Sequence, residues 1–360
     1  MSANPLISVV VNTFNHERFI EKAVRSVLDQ DFPADLVEVV AVDDGSTDHT
    51  FEVLQQFQPR VRVIHKSNGG QGSALNAGIA ATTGNLVAFC DGDDWWAKTK
   101  LTECSNALNA NPKVAALGHS YYEAFDDGPP SAIVAATEDC YIDDSTPEAA
   151  RIANHGRTFL GTTMLVIRRS ILEKIGPVPD GFVMCADAPI LSMAVALGGA
   201  IILKNPLCYY RVHGGNFFHH AARNPQGLRR KAQILALAAQ CLAPRLEEIG
   251  MPPEIRTVVL EAYQIESERL TRYADGQAGW DAHQLELRDL HTLGADPGTL
   301  YKLYKRVSGS LAALLPADRY YALRSWYARK NLKRFRQAMA PIEVAPWERM
   351  FQRRALPRPD

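Results

Sequence analysis

No stretch of this chain is apolar enough to cross a bilayer: the nearest, Met193 to Leu203, is broken by Gly198 and Gly199. A membrane helix needs about 20 consecutive apolar residues. Nor is there a surplus of charge, since the formal net charge is −1 over 360 residues. That balance excludes a general nucleic-acid binder, which requires a basic excess. Cysteine is sparse. The six, Cys90, Cys104, Cys140, Cys185, Cys208 and Cys241, include no C-x-x-C pair, so they read as reduced residues of a cytosolic protein rather than a zinc site or disulfide frame. A basic n-region is missing ahead of Ile7, which reads as no secretory signal. What remains is a hydrophobic content of 46%, sufficient for one large α/β domain and an appendage.

The first half alternates short β-branched runs with helical spacings. Ile7–Val11 predicts a buried parallel strand, and Glu17–Leu28, with Ile20, Val24, Val27 and Leu28 on one face, predicts a helix. The pattern repeats with a strand at Val37–Val42, a helix at Thr47–Phe57, a strand at Val61–Ile64, a helix opened by Asn68–Ser73 and a strand at Leu86–Cys90. A helix over Thr99–Leu108 and a short strand at Val114–Leu117 follow. Repeated βα units predict a doubly wound, Rossmann-like, mostly parallel sheet. Phe125–Ser145 mixes Asp, Gly and Pro and reads as a surface loop over the site. Further strands are expected at Thr162–Arg168, Ala200–Leu203 and Cys208–Val212, and a helix at Asp187–Leu197. Beyond about Asn224 only helical patterns remain, at Leu228–Ile249, Glu254–Tyr273, His283–Leu293 and Arg319–Met339. Residues 1–223 are therefore expected to form a catalytic α/β domain, and 224–360 a helical region.

Three clusters carry chemistry. Asp91-Gly92-Asp93-Asp94 ends a buried strand, where crowded carboxylates repel one another unless a cation sits among them. Asp43-Asp44-Gly45-Ser46-Thr47-Asp48 ends another, where Asp44 can accept from a base N–H or from ribose hydroxyls, although Ser46, Thr47 and Asp48 are also good helix caps. Asn68-Gly69-Gly70-Gln71-Gly72-Ser73 opens a helix, so its N–H groups could approach a phosphate, yet its spacing fits neither G-x-G-x-x-G nor the Lys-bearing phosphate loop.

Together with Val9–Asn15, these segments in this order and at these intervals resemble the family 2 glycosyltransferases of the GT-A fold over roughly residues 5–220. The resemblance implies a nucleotide-diphospho-sugar donor, UDP- or GDP-linked, a divalent cation (Mn²⁺ or Mg²⁺) and transfer with inversion. It places Thr13, Phe14 and Glu17 beside the base and Asp44 on the nucleoside, with Asn68 and Gly72 also on the donor side. Asp91 and Asp93 correspond to the DxD pair: Asp91 on ribose or sugar, Asp93 on the cation. Asp94 has no assigned role. Asp187 falls where the family shows its general base, and His213, in Tyr210–Asn216, where a ligand to the metal or diphosphate is found. Ala186 replaces the family's common Glu and Met193 stands where Arg often follows, which bears on the acceptor pocket.

The implied acceptor is a hydroxyl of a growing glycan, a lipid-linked saccharide or a small molecule, in bacterial cell-surface glycan or glycoconjugate synthesis. Arg319–Arg336 carries seven Lys or Arg and no acid among five aromatics. That mixture suits peripheral contact with the inner face of an anionic membrane, and equally suits packing against a neighbouring helix or a second subunit. Two alternatives stay open: a sugar-phosphate nucleotidyltransferase, for which a basic glycine-rich loop after the first strand would be expected, and a catalytically silent donor-binding subunit.

Overall fold

The computed structural model describes residues 6–125, 128–213 and 225–277, isolated positions between 283 and 319, and 351–355. The first strand, β1 (Ile7–Thr13), is buried at every position, as its run of β-branched residues requires. Helix α1 (Ile20–Leu28) returns the chain, burying Ile20, Ala23, Val24 and Val27. Strand β2 (Val37–Asp43), α2 (Thr50–Gln55), β3 (Arg62–His65), α3 (Gln71–Ala80) and β4 (Leu86–Asp91) complete the βα repeats. These four strands are mutually parallel in the order β4-β1-β2-β3.

The second half departs from the parallel expectation. After the two-residue β5 (Trp95–Trp96) and α4 (Lys100–Ala110) comes β6 (Ala116–Phe125), a ten-residue strand that runs well past Leu117. The stretch expected to be a loop contains two strands, β7 (Pro130–Ala136) and β8 (Cys140–Ile142). Their small and polar residues hide the periodicity, because β7 buries little more than Ala132 and Ala136. Beyond α5 (Pro147–Gly156), a 3₁₀ turn at Thr162–Met164 leaves only β9 (Val166–Arg168) as the strand expected from Thr162 onward. β9 lies antiparallel between β4 and β6. Helices α6 (Arg169–Ile175) and α7 (Asp187–Gly198) lead into β10 (Ala200–Val212), one strand where two were expected. Its pairing with β6 slips around Pro206, a residue that cannot donate to the ladder and so belongs at a bulge.

The chain separates into two compact units. One holds the sheet and its helices, through Asp144, over 156–213 and at 351–355; the other holds 145–155 and the helices α8 (Pro225–Glu248) and α9 (Pro253–Ala274). In the sheet unit the core gathers Val9, Val11, Ala88 and Cys90 with Val24, Leu54, Leu101 and Leu108. In the helical unit Leu228 and Ala232 of α8 meet Leu270 and Ala274 of α9. The Ser267 hydroxyl donates to the Ala232 carbonyl there at 2.7 Å. No strand was expected after Asn224, yet β11 (Phe351–Ala355) pairs antiparallel with β7 in the sheet unit. Most of the helical readings at His283–Leu293 and Arg319–Met339, and the basic-aromatic stretch with them, lie outside the described residues.

All six cysteines are free, and burial pushes the Cys104 thiol up to about 12. Among the described residues no helix is long and apolar enough to cross a membrane.

Gly118 of β6 has no room for a side chain, since a Cβ there would collide with the Phe159 carbonyl oxygen. Gly118→Ala is expected to lose about 2–3 kcal/mol of unfolding free energy, as overpacked sites do; an unchanged denaturation midpoint in urea would contradict this packing.

Candidate active site

The parallel register sets the site. Asn12 on β1 stands between Val42 of β2 and Asp91 of β4, and Thr13 lies beside Asp43, so the polar residues ending three strands meet at one edge of the sheet. Ligands collect at such carboxyl ends in open α/β sheets. Asp91 accepts from Asn12 Nδ2 at 2.9 Å and from Gln71 Nε2 at 3.3 Å, and Thr163 Oγ1 lies 3.2 Å away. Burial first, and then the charge of Asp93, raise its carboxyl to about 7.

Asp93 faces two rings, His213 Nε2 at 3.1 Å and His16 Nε2 at 3.9 Å. Burial alone would raise its carboxyl, but His16 and His213 outweigh it and hold Asp93 below the usual carboxylate value. Asp94 turns inward instead. It is 1% exposed, accepting from Thr163 Oγ1 at 2.6 Å and from the Arg211 N–H at 2.8 Å. It is thus the structural member of the cluster, tying β4 to β10. Burial, then Asp93 and Asp91, push it well above its ordinary value.

Behind the acids sits a buried cation. Lys100 is fully buried, donates to the Thr163 carbonyl and lies 3.9 Å from the Trp96 ring centroid. The Arg211 guanidinium, also fully buried, is held between Phe19 and Trp95 and donates to the Asp93 carbonyl at 2.6 Å.

The N–H groups of the glycine-rich loop have partners within the protein. The N–H groups of Gly69 and Gly70 donate to the Asp44 carboxylate, that of Gln71 to the Val183 carbonyl, and that of Gly72 to the Phe182 carbonyl at 2.8 Å. Gly72 therefore serves close packing: a Cβ there would lie 3.0 Å from Val178 Cγ1. Asp44 is likewise engaged within the fold. Only 2% exposed, it also accepts from Lys66 Nζ at 2.7 Å, and with Gly69 and Gly70 this fills about four lone-pair directions. Asn68 donates to the Asp44 carbonyl at 3.0 Å.

On the β1–α1 side, Phe14 is 42% exposed, whereas Thr13 is buried with Oγ1 3.2 Å from His16 Nδ1. Glu17 fastens two loops together: its carboxylate accepts from the His49 N–H at 3.0 Å, and its own N–H donates to Asp48.

Asp187 opens α7 on the Asp91 side of the cluster. Its Oδ2 accepts from the Thr162 N–H at 3.0 Å. Burial raises its carboxyl above the ordinary value, and hydrogen bonds from the backbone of Thr162, Asp187 and Ala188 offset that only in part. Ala186 and Met193 are both buried, so their apolar character answers to packing.

Gln71, Thr162, Thr163, His16, Lys66, Lys100 and Arg211 were not singled out from the sequence. Gln71 sat within a segment read for its backbone, and the two threonines within a run read as strand. Among the described residues no group of three or more His, Cys, Asp or Glu is arranged to hold a metal. Asp93 and His213 place a carboxylate oxygen 3.1 Å from an imidazole nitrogen, and Asp43 and His65 form a second such pair at 2.6 Å.

A family model described as glycosyl transferase family 2 matches residues 8–176. The glycosyltransferase alr2836 of Nostoc sp. is 33% identical over 250 residues, covering 68% of this chain and 76% of that protein. The poly(ribitol-phosphate) β-N-acetylglucosaminyltransferase TarS of Staphylococcus aureus is 33% identical over 102 residues, 27% of this chain and 18% of its own length. The crystal structure of TarS 1–349 with UDP-GlcNAc superimposes with a TM-score of 0.53 at 20% identity, over 90% of this chain and 91% of that one. The mannosyltransferase PcManGT of Pyrobaculum calidifontis, in complex with GDP-Man and Mn²⁺, gives 0.53 at 20% identity, over 94% and 85%.

Thr163 is the shared partner of the acidic cluster, receiving the Asp91 N–H at 3.1 Å as well as facing the Asp91 and Asp94 carboxyls. Thr163→Val is expected to cost about 2–3 kcal/mol through buried polar groups left without a partner. Equal urea midpoints for parent and variant would contradict it.

Proposed function

This chain belongs to the family 2 glycosyltransferases, and on that premise we propose an inverting, metal-dependent enzyme that moves a sugar from a nucleotide-diphospho-sugar to an acceptor hydroxyl. The observation that carries this reading is the meeting of Asp91 and Asp93 at the carboxyl edge of the parallel sheet, Asp93 3.1 Å from His213, with Asp187 tied to the same corner through Thr162. Asp93 is held down by His16 and His213 and Asp187 raised by burial. Environments that separate two titratable groups in this way mark different chemical duties.

The group held ionised suits the donor side. Asp93 and His213 would hold a divalent cation completed by diphosphate oxygens; the carboxylate suits Mn²⁺ or Mg²⁺, and the imidazole nitrogen favours Mn²⁺, since Mg²⁺ takes oxygen ligands. When bound, the cation supplies Lewis-acid neutralisation of the charge that grows on the departing nucleoside diphosphate. The complexes of TarS with UDP-GlcNAc and of PcManGT with GDP-Man and Mn²⁺ support a donor and metal of this kind. Phe14 offers an exposed ring on which a base can stack. At Asp44, the Lys66 ammonium is the one partner on a flexible side chain, and so the one that a base N–H can replace.

The raised carboxyl suits the base. Asp187 would take the proton of the acceptor hydroxyl as its oxygen bonds to the anomeric carbon, while the bond from that carbon to the diphosphate oxygen breaks on the opposite face. One displacement inverts the centre. Asn12, Gln71 and Thr163 keep Asp91 fixed beside the reacting sugar. The name of TarS, a poly(ribitol-phosphate) β-N-acetylglucosaminyltransferase, supports a hydroxyl of a polymer as acceptor.

Asp93→Ala is expected to reduce Mn²⁺-dependent release of nucleoside diphosphate from UDP-GlcNAc or GDP-Man by at least about 100-fold; undiminished release would sink the metal assignment. Asp187→Asn should keep nucleotide affinity while lowering turnover by about 10²- to 10⁴-fold, the usual worth of a general base. Because the base works deprotonated and its carboxyl is raised, the parent's rate should climb with pH along a limb above the ordinary carboxylate range near 4. A rate independent of pH from 4 to 7 would count against Asp187.

A further inference from the structure

We propose that Gln71 is a positioning residue that holds the donor carboxylate Asp91 and the base-bearing start of α7 at a fixed separation. The inference rests on the donor and base roles given above and adds what aligns them. Both ends of the Gln71 amide are engaged. Its Oε1 accepts from the Ala186 N–H at 3.0 Å, one residue before Asp187, while its Nε2 donates to Asp91 Oδ1 at 3.3 Å and Thr162 Oγ1 at 3.1 Å. Thr162 in turn donates its N–H to Asp187 Oδ2 at 3.0 Å. Two routes therefore run from one side chain to the base, through Ala186 and through Thr162, and a third contact runs to the donor acid.

The surrounding backbone is built to hold that side chain still. Gly70, at φ +84°, lies so close to Val183 that a Cβ would come within 2.5 Å of its Cα. The N–H groups of Gln71 and Gly72 then pair with the carbonyls of Val183 and Phe182. Lower on α3, the Asn76 side chain grips Val178 through both its N–H, at 2.8 Å, and its carbonyl, at 2.9 Å. The segment leading to α7 is thus keyed along α3, and the glycines bring two backbones together rather than admit a phosphate.

The chemistry explains why such a strut matters. In a one-step displacement the attacking oxygen and the leaving oxygen lie on opposite faces of one carbon, and a misplacement of about 1 Å can cost about 100-fold in rate. A strut that bonds to each half fixes that distance without touching the reacting atoms.

The test is a double-substitution cycle on the full chain, measuring nucleoside diphosphate release from UDP-GlcNAc and from GDP-Man with Mn²⁺, with glycerol as a simple acceptor. Gln71→Met, close in volume, should lower kcat by about 10- to 100-fold, with affinity for UDP or GDP by calorimetry changed less than about threefold. In an Asp187→Asn background the same substitution should cost less than about threefold, because the group it aligns is gone. Gln71→Glu keeps the acceptor for Ala186 but not the donor to Asp91 and Thr162, and guards against a folding defect in the first variant; it should lose kcat likewise. Equal losses in both backgrounds, nucleotide affinity falling in step with rate, or an unaltered kcat in either folded variant would overturn the positioning role. No release from either donor by the unsubstituted chain would instead overturn the functional reading beneath it.

Discussion

Everything at the carboxyl edge of this sheet answers to the mutual repulsion of three acids within four residues, Asp94 buried and Asp91 and Asp93 half-buried. Asp91, Asp93 and Asp94 could not share a desolvated corner without separate arrangements, and each has one. Asp94 is surrendered to the fold, fastened to Thr163 and the Arg211 backbone. Asp93 faces two imidazoles. Asp91 is surrounded by the neutral groups of Asn12, Gln71 and Thr163 and keeps a raised carboxyl. Lys100 and Arg211 stand behind them, buried against aromatic faces that substitute in part for water around a cation. Desolvated charges that break even only when well partnered are weak contributors to stability, and so this concentration points to chemistry rather than to holding the chain together.

The same constraint orders the rest of the unit. β10 must reach the cluster to bring Arg211 and His213, and the slips around Pro206 let a single strand follow β6 while meeting β5. The Thr162–Met164 turn must lie under β4 so that Thr163 can serve Asp91 and Asp94 together. Positive φ at Asn15 and Gly70 occurs in loops beside this edge.

Much of this was legible in the sequence, for identifiable reasons. Three of the four parallel strands announced themselves because a strand buried on both faces is a continuous apolar run, as in Val9–Val11 and Leu86–Cys90. The acids at their ends followed directly. The mixed half was not legible, because β6, β7 and β8 between them carry Gly, Ser, Tyr, Glu and Ala in orders that no period of two selects. Partner choice also escapes sequence patterns. Nothing local says that Asp44 will be claimed by Lys66, Gly69 and Gly70, or that Gln71 will turn its amide to residues near 162 and 186. A motif shows which groups a loop contains, while the fold decides which are already spent.

The pairing of β11 with β7 has a bearing on how the sheet is assembled. The register joins Ala132 to Ala355 and Ala136 to Phe351, with the whole helical unit strung between the two strands. A ribosome delivers β7 long before β11, so the outer edge of β7 emerges with unpaired N–H and C=O groups and waits through the synthesis of α8 and α9. Open edges are templates for pairing with other chains, and contacts this remote in sequence close late. Nascent copies on one message thus carry a shared vulnerability that the finished molecule conceals.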